Sequence, residues 1–350
     1  MKKILFAVGI ISLVACGTSK ETSTIKKEDP NVDYAVKFAK TITAKDLGTH
    51  LFVYASDEFE GRNTGEPGQK KAVAYLKDFY KSQGIVSPLG DDDYFQEVPA
   101  TWLNKNSRRG NLKGSENVVA FIKGSEKPDE IVVISAHLDH EGIKNGKIYN
   151  GADDDGSGTV AILEIAQAFN DAVKAGKGPK RSILFLHVTG EEKGLLGSKY
   201  YTENPIFPLA NTVTDLNIDM IGRVDPRHKG NPNYVYLIGS DKLSTELHTL
   251  SEAINKKYTN IQLDYKYNDE NDPNRFYYRS DHYNFAKHNV PIIFYFNGTH
   301  VDYHQPTDTP DKINYEMLQN RTRLVFHTAW EVANRDARIV ADKAVPKTTR

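Results

Sequence analysis

The segment IVVISAHLDHEGIKNGKIYNGADDDGSG, residues Ile131 to Gly158, decides how the chain is read. It begins as an unbroken apolar run, Ile131 to Ile134, turns polar at His137, Asp139 and His140, and ends on Asp153, Asp154 and Asp155. After a glycine-flanked Ser157, the sequence TVAILEIAQAF sets Val160, Leu163, Ala166 and Phe169 at helical spacing. Strand, polar loop and helix in that order make half of a βαβ unit. In open α/β sheets such loops lie at the carboxyl ends of strands, where ligands bind.

Outward from this segment the pattern repeats. Upstream, a helix is predicted from Ala35 to about Asp46, and an amphipathic one from Gly68 with Ala72, Leu76, Phe79 and Tyr80 on one face. Asn117–Lys123 and Ile131–Ser135, joined by a short polar turn, read as neighbouring strands. Downstream, apolar runs at Ser182–Val188, Leu216–Met220, Tyr234–Ile238 and Pro291–Phe296 read as strands. Helices follow the third of these, to about Lys257, and close the chain from Glu316 to Asn334. The strands are apolar throughout instead of alternating, as in strands buried on both faces. The fold class is therefore α/β, with a mostly parallel central sheet covered by helices on both faces.

The first residues read differently. Lys2 and Lys3 precede an apolar run, Ile4 to Ala15, of about 12 residues, the pattern of a secretory signal and too short for a bilayer span of roughly 20. Leu13-Val14-Ala15-Cys16 resembles the lipobox of bacterial lipoproteins, so residues 1–16 are expected to be a signal ending at a lipidated Cys16. That implies an extracytoplasmic protein anchored to a bacterial membrane. Cys16 is the only cysteine, which leaves the body without disulfides or thiol chemistry. Residues 17–33 are polar and aperiodic and read as a tether, 34–340 as one domain, and 341–350 as a polar tail. A net charge of −1 without a basic stripe argues against nucleic acid as a partner.

Four apolar strands end at His137, at Glu191-Glu192, at Asp219 and shortly before His304, and Asp154 sits in the loop feeding the helix after the first. Parallel strands would bring these positions to one sheet edge. Histidines and carboxylates without cysteine favour zinc, with manganese or cobalt as substitutes. Three carboxylates leave the four charges of two divalent ions short by one, which a hydroxide completes. Side chains of adjacent residues at a strand end point apart, so one of Glu191 and Glu192 can bind metal while the other serves as a general base.

The motifs HLD at His137 to Asp139, GADDDGSG at Gly151 to Gly158, GEE at Gly190 to Glu192, DMIG at Asp219 to Gly222 and YHQPTDTP at Tyr303 to Pro310 together resemble the co-catalytic zinc aminopeptidases of peptidase family M28, from about Phe52 to Ile313. The resemblance implies the zinc-exopeptidase (phosphorylase/hydrolase-like) fold and a dinuclear zinc-activated water that hydrolyses the N-terminal peptide bond of peptides. It implies His137 and Asp219 on one zinc, Glu192 and His304 on the other, and Asp154 between them. Glu191 would be the general base, Asp139 would orient His137, and Tyr303 would hydrogen-bond the oxyanion. Arg279, in the sequence RSDH, resembles a substrate-contacting arginine of some members.

On the same resemblance, a single-zinc glutaminyl cyclase, a carboxypeptidase or dipeptidase, and a non-catalytic surface binding protein are the alternatives. Asp153, Asp155, Ser157, Gly158 and Glu164 also match the spacing of an EF-hand calcium loop, but a strand, not a helix, enters it. His140, His187, His282, His288 and His300 are assigned to structure or surface.

Overall fold

Thr43 splits the first predicted helix in two. In the computed structural model, which describes residues 32–344 apart from 91 and 109, α1 spans Tyr34–Ala39 and α2 spans Ala44–Tyr54. The single helix expected over Ala35–Asp46 is thus corrected. Thr43 accepts the Asp46 amide at 3.1 Å and donates its hydroxyl to the Asp46 carboxylate at 2.6 Å, so a new helix start is stabilised where a continuous one was expected. The stiff side chains of Thr41 and Ile42 also weaken helix at this point. Helix α3, Pro67–Gln83, begins on a proline at its first position and ends at Gly84 in the left-handed region, with Ala72, Leu76, Phe79 and Tyr80 buried as their spacing required.

The remaining strands and helices follow in chain order: β1 (Phe95–Val98), α4 (Ala100–Asn106), β2 (Ser115–Ile122), β3 (Lys127–His137), the small hairpin β4 (Gly142–Lys144) and β5 (Lys147–Tyr149), α5 (Gly158–Lys174), β6 (Arg181–Val188), α6 (Leu196–Glu203), β7 (Thr212–Ile218), β8 (Tyr234–Ile238), α7 (Thr245–Tyr258), β9 (Gln262–Asp264), α8 (His282–Ala286), β10 (Ile292–Phe296) and α9 (Tyr315–Asn334). The main sheet has the order β1-β2-β6-β3-β7-β10-β8-β9. Strands β6, β3, β7 and β10 run parallel at its centre. On either side, β2 joins β6 and β8 joins β10 antiparallel. The sheet is the mixed, mostly parallel one expected. One pairing is corrected, because β2 and β3 are not neighbours and β6 lies between them.

Successive residues of β3 serve opposite faces. Val132, Ile134 and Ala136 pack with residues of α1, α2, α3, α5 and α9, whereas Ile131 and Val133 pack with Tyr201 of α6 and Phe285 of α8. Covering both faces is why the strand is apolar at every position. Because the four central strands are parallel, their carboxyl ends and the loops that follow share one edge of the sheet.

One core group is out of keeping with its surroundings. Glu164 on α5 is 1% exposed, and its carboxylate lies 3.7 Å from His50 Nε2. Burial, helped by the charge of Asp46, pushes this carboxyl up to about 8, while burial lowers the His50 imidazole. An unfolded glutamate ionises near 4.3, so between about 4.3 and 8 the folded chain keeps a proton that the unfolded chain has lost, and stability falls as pH rises through that window. Glu164→Gln is therefore expected to change stability little at pH 4 and to raise it by about 2–4 kcal/mol at pH 8. Chemical denaturation at both pH values checks this, and an equal effect at the two would refute it.

Candidate active site

The loop between β3 and α5 carries three consecutive aspartates, and their neighbours give them different duties. Asp153 accepts the Gly222 amide at 2.7 Å and meets His300 Nε2 at 3.1 Å. Asp155 accepts the amides of Met220, at 3.0 Å, and Gly158, at 2.9 Å. These two carboxylates tie the loop to the end of β7 and the start of α5, which also removes the EF-hand arrangement, since Glu164 faces His50. Asp154 alone turns its carboxylate to the sheet edge, with Oδ1 3.0 Å from His137 Nε2 and Oδ2 3.0 Å from His304 Nε2. Its main-chain amide is held by Asp308 Oδ2 at 3.2 Å, so the YHQPTDTP segment that carries His304 also clamps the aspartate loop.

Two groups of donors form around Asp154. In the first, His137 Nε2 lies 3.7 Å from Asp219 Oδ1, and Ser280 donates to the other Asp219 oxygen at 2.6 Å. In the second, His304 Nε2 lies 3.3 Å from Glu192 Oε1. The structure thus brings His137, Asp154, Asp219, Glu192 and His304 together. His137 Nε2, Asp154 Oδ2 and Glu192 Oε1 are buried without hydrogen-bond partners, a costly state unless a cation takes their lone pairs. Burial works to raise the Asp154 carboxyl, yet the His137 and His304 imidazoles beside it hold it below the ordinary range, so it stands charged. The donor set fits divalent metal.

Asp139 meets the His137 ring through its main-chain carbonyl, 2.9 Å from Nδ1, while its carboxylate sits 3.9 Å away. That carboxylate instead accepts the Glu191 amide at 3.0 Å and the Thr64 hydroxyl at 2.7 Å. Asp139 therefore positions both a donor and its neighbouring glutamate. Gly190, with φ of 67°, makes the tight turn that carries Glu191 and Glu192 off the end of β6. The Glu191 carboxylate has no hydrogen-bond or ion-pair partner among the described residues and borders the cleft. Burial, with the charges of Glu192 and Asp219, pushes it well above the usual carboxylate range against the pull of His137.

The cleft is about 520 Å³. Met220, Phe276, Phe294 and Phe296 give it an apolar floor, and Arg108, Lys193 and Arg279 ring it with positive charge. Tyr303 stacks on the His304 ring with centroids 4.0 Å apart, and Arg279 Nη2 reaches its hydroxyl at 3.3 Å. The stretch after Asp219 supplies the cleft with Phe276 and Tyr278, while Tyr277 packs against His282 and Tyr283.

Two residues of the site were passed over in sequence. His140, assigned to structure or surface, has Nδ1 3.0 Å from Glu192 Oε1 and 3.7 Å from Asp154 Oδ2. Glu141 lies within ligand distance of Glu192 and His304 and pairs with Lys144. The available signal was their place in the same loop as His137 and Asp139. His282, by contrast, is buried against the Tyr277 carbonyl, 2.8 Å from its Nε2.

Comparison with known proteins bears on the family and the fold. The chain is 25% identical over 303 residues to leupeptin-inactivating enzyme 1 of Streptomyces exfoliatus, covering 81% of this chain and 59% of that one. It therefore spans less than two thirds of that relative's own length. Among solved structures, the Legionella pneumophila LapA aminopeptidase superposes with a TM-score of 0.67 at 20% identity, over 94% of this chain and 81% of that one. The Porphyromonas gingivalis glutaminyl cyclase does so with a TM-score of 0.63 at 18% identity, over 82% and 97%. At these identities both share the fold, which by itself does not separate the two chemistries. The model of peptidase family M28 matches residues 117–329, which span every motif of the site, and the chain belongs to that family.

Proposed function

We propose that this chain is a zinc exopeptidase that removes the N-terminal residue from peptides with a free amino terminus. The observation that carries the reading is a cleft in which a cluster of orphaned histidine and carboxylate donors adjoins one unpartnered carboxylate, Glu191. His137 and Asp219 would hold one ion, Glu192 and His304 the other, and Asp154 both. Zinc suits this nitrogen and oxygen donor set, with manganese or cobalt as substitutes. When bound, such ions polarise the scissile carbonyl and lower the pKa of the attacking water.

The side chains do the rest. Glu191 accepts the proton of the attacking water and returns it to the leaving amine. Burial and the negative charge of Asp154 keep the Tyr303 hydroxyl protonated, so it donates a hydrogen bond to the oxygen on which charge develops. Arg279 steadies that hydroxyl from the cleft mouth. The apolar floor suits a large apolar side chain on the departing residue, and the carboxyl groups beside the cleft suit the substrate's ammonium group.

The signal expected over 1–16, Cys16 and nearly all of the tether lie outside the described residues, as does the tail from 345 onward. No helix among the described residues is long and apolar enough to cross a membrane. The LVAC sequence supports an extracytoplasmic protein held to a bacterial membrane by lipid on Cys16.

One preparation tests these points. The full-length chain, extracted in detergent, is assayed for zinc content and for cleavage of aminoacyl-p-nitroanilides against their N-blocked equivalents. Two zincs with cleavage of only the free-amine substrates is the expected result. One zinc with cyclisation of N-terminal glutamine would replace the peptidase by a cyclase. Neither metal nor turnover would leave a binding protein. Activity that stays in the membrane fraction of a Cys16→Ser variant would remove the anchor.

A further inference from the structure

We infer that His140 is a sixth protein donor, completing an all-protein ligand set for one of the two ions. The inference rests on the metal-dependent reading above. His140 follows His137 by three residues and is fully buried, and neither of its ring nitrogens has a hydrogen-bond partner among the described residues. A buried imidazole with both nitrogens idle is costly, and its Nδ1 is aimed at the donors of the second group.

Four of the distances among those donors fall in the range of ligands around one ion. Atoms about 2.0–2.1 Å from a tetrahedral zinc lie about 3.3 Å from one another. His140 Nδ1 is 3.0 Å from Glu192 Oε1 and 3.7 Å from Asp154 Oδ2, and His304 Nε2 is 3.3 Å and 3.0 Å from the same two oxygens. The His140–Glu192 contact is short yet fails the alignment of a hydrogen bond, and Nδ1 and Oε1 both remain unpartnered. Two atoms that both point their lone pairs at a third position have this relation. The ring cannot swing away. Gly151 lies against it so closely that a Cβ there would come within 2.4 Å of His140 Cγ.

The two positions therefore differ in kind. Glu192, His304, His140 and Asp154 would close a set of four around one ion, the number of protein ligands in a structural zinc site. The other ion has only His137, Asp219 and the shared Asp154 from the protein, which leaves room for water and substrate. The closed position should fill first, hold its ion more tightly and, with two imidazoles, favour zinc over manganese. The open position should lose its ion first to chelators.

The test is X-ray absorption at the zinc edge on metal-free full-length chain given one equivalent of zinc. Two imidazoles on that first ion are expected; one would overturn the inference. As a second measurement, His140→Ala, checked for folding by circular dichroism, is titrated with zinc against a chromophoric chelator. The first ion is expected to weaken by more than about 100-fold, beyond what loss of a residue that merely orients a ligand brings. Unchanged affinity in a folded variant would overturn the inference alone. Wild-type chain that takes up no zinc would overturn the peptidase reading beneath it as well.

Discussion

Glu191→Gln is expected to bind metal as the wild type does while kcat falls by about 10³-fold or more. Glutamine has the shape of glutamate and keeps the main-chain amide that Asp139 holds at 3.0 Å, so the turn after β6 stays in place. What it loses is the ability to take a proton. General-base assistance contributes about 10²–10⁴-fold, and Glu191 has no structural duty that would hide this loss, since its carboxylate pairs with nothing among the described residues. The effect should fall on kcat with KM little changed, because the interaction matters only as the water is deprotonated. Steady-state kinetics on protein of measured zinc content checks the point. A metal-loaded variant turning over at the wild-type rate would remove Glu191 from the chemistry.

Asp154→Asn separates the ligands from the base. Asp154 is the one side chain with an oxygen in each donor group, 3.0 Å from His137 on one side and 3.0 Å from His304 on the other. An amide offers one neutral oxygen and a donor NH₂ where two charged oxygens stood, so the ions lose one of the three carboxylate charges that neutralise them. Both ions are expected to weaken by more than about 100-fold, and activity should be lost in step with metal. His304→Ala, which touches only the second group, should leave one ion in place. Zinc content after dialysis against a weak chelator distinguishes the cases. Full occupancy in Asp154→Asn would mean that the two groups of donors are held independently.

The main features of the fold were open to reading because they depend on local pattern. Val132 and Ile134 on one face of β3, and Ile131 and Val133 on the other, make the unbroken apolar run that marks a strand covered on both sides. Parallel strands then carry His137, Glu192 and Asp219 to one edge without any knowledge of which strand lies beside which. The helix break at Thr43 was legible in principle, since Thr43 and Asp46 form a local capping pair; the apolar periodicity across it concealed the break.

Chain pattern alone determined the class of fold, the edge of the sheet where the chemistry lies and the residue types gathered there, because burial and strand direction leave their mark on neighbouring residues. Which atoms serve which purpose was decided only in three dimensions. Insertion of β6 between β2 and β3, the clamp of Asp308 on the Asp154 amide, the use of the Asp139 carbonyl instead of its carboxylate at His137, and the turn of His140 toward Glu192 all join residues from separate elements or depend on how one loop closes. Apolar periodicity reports that a side chain is buried; the partner that it meets is set by packing between distant segments, on which local sequence carries no signal.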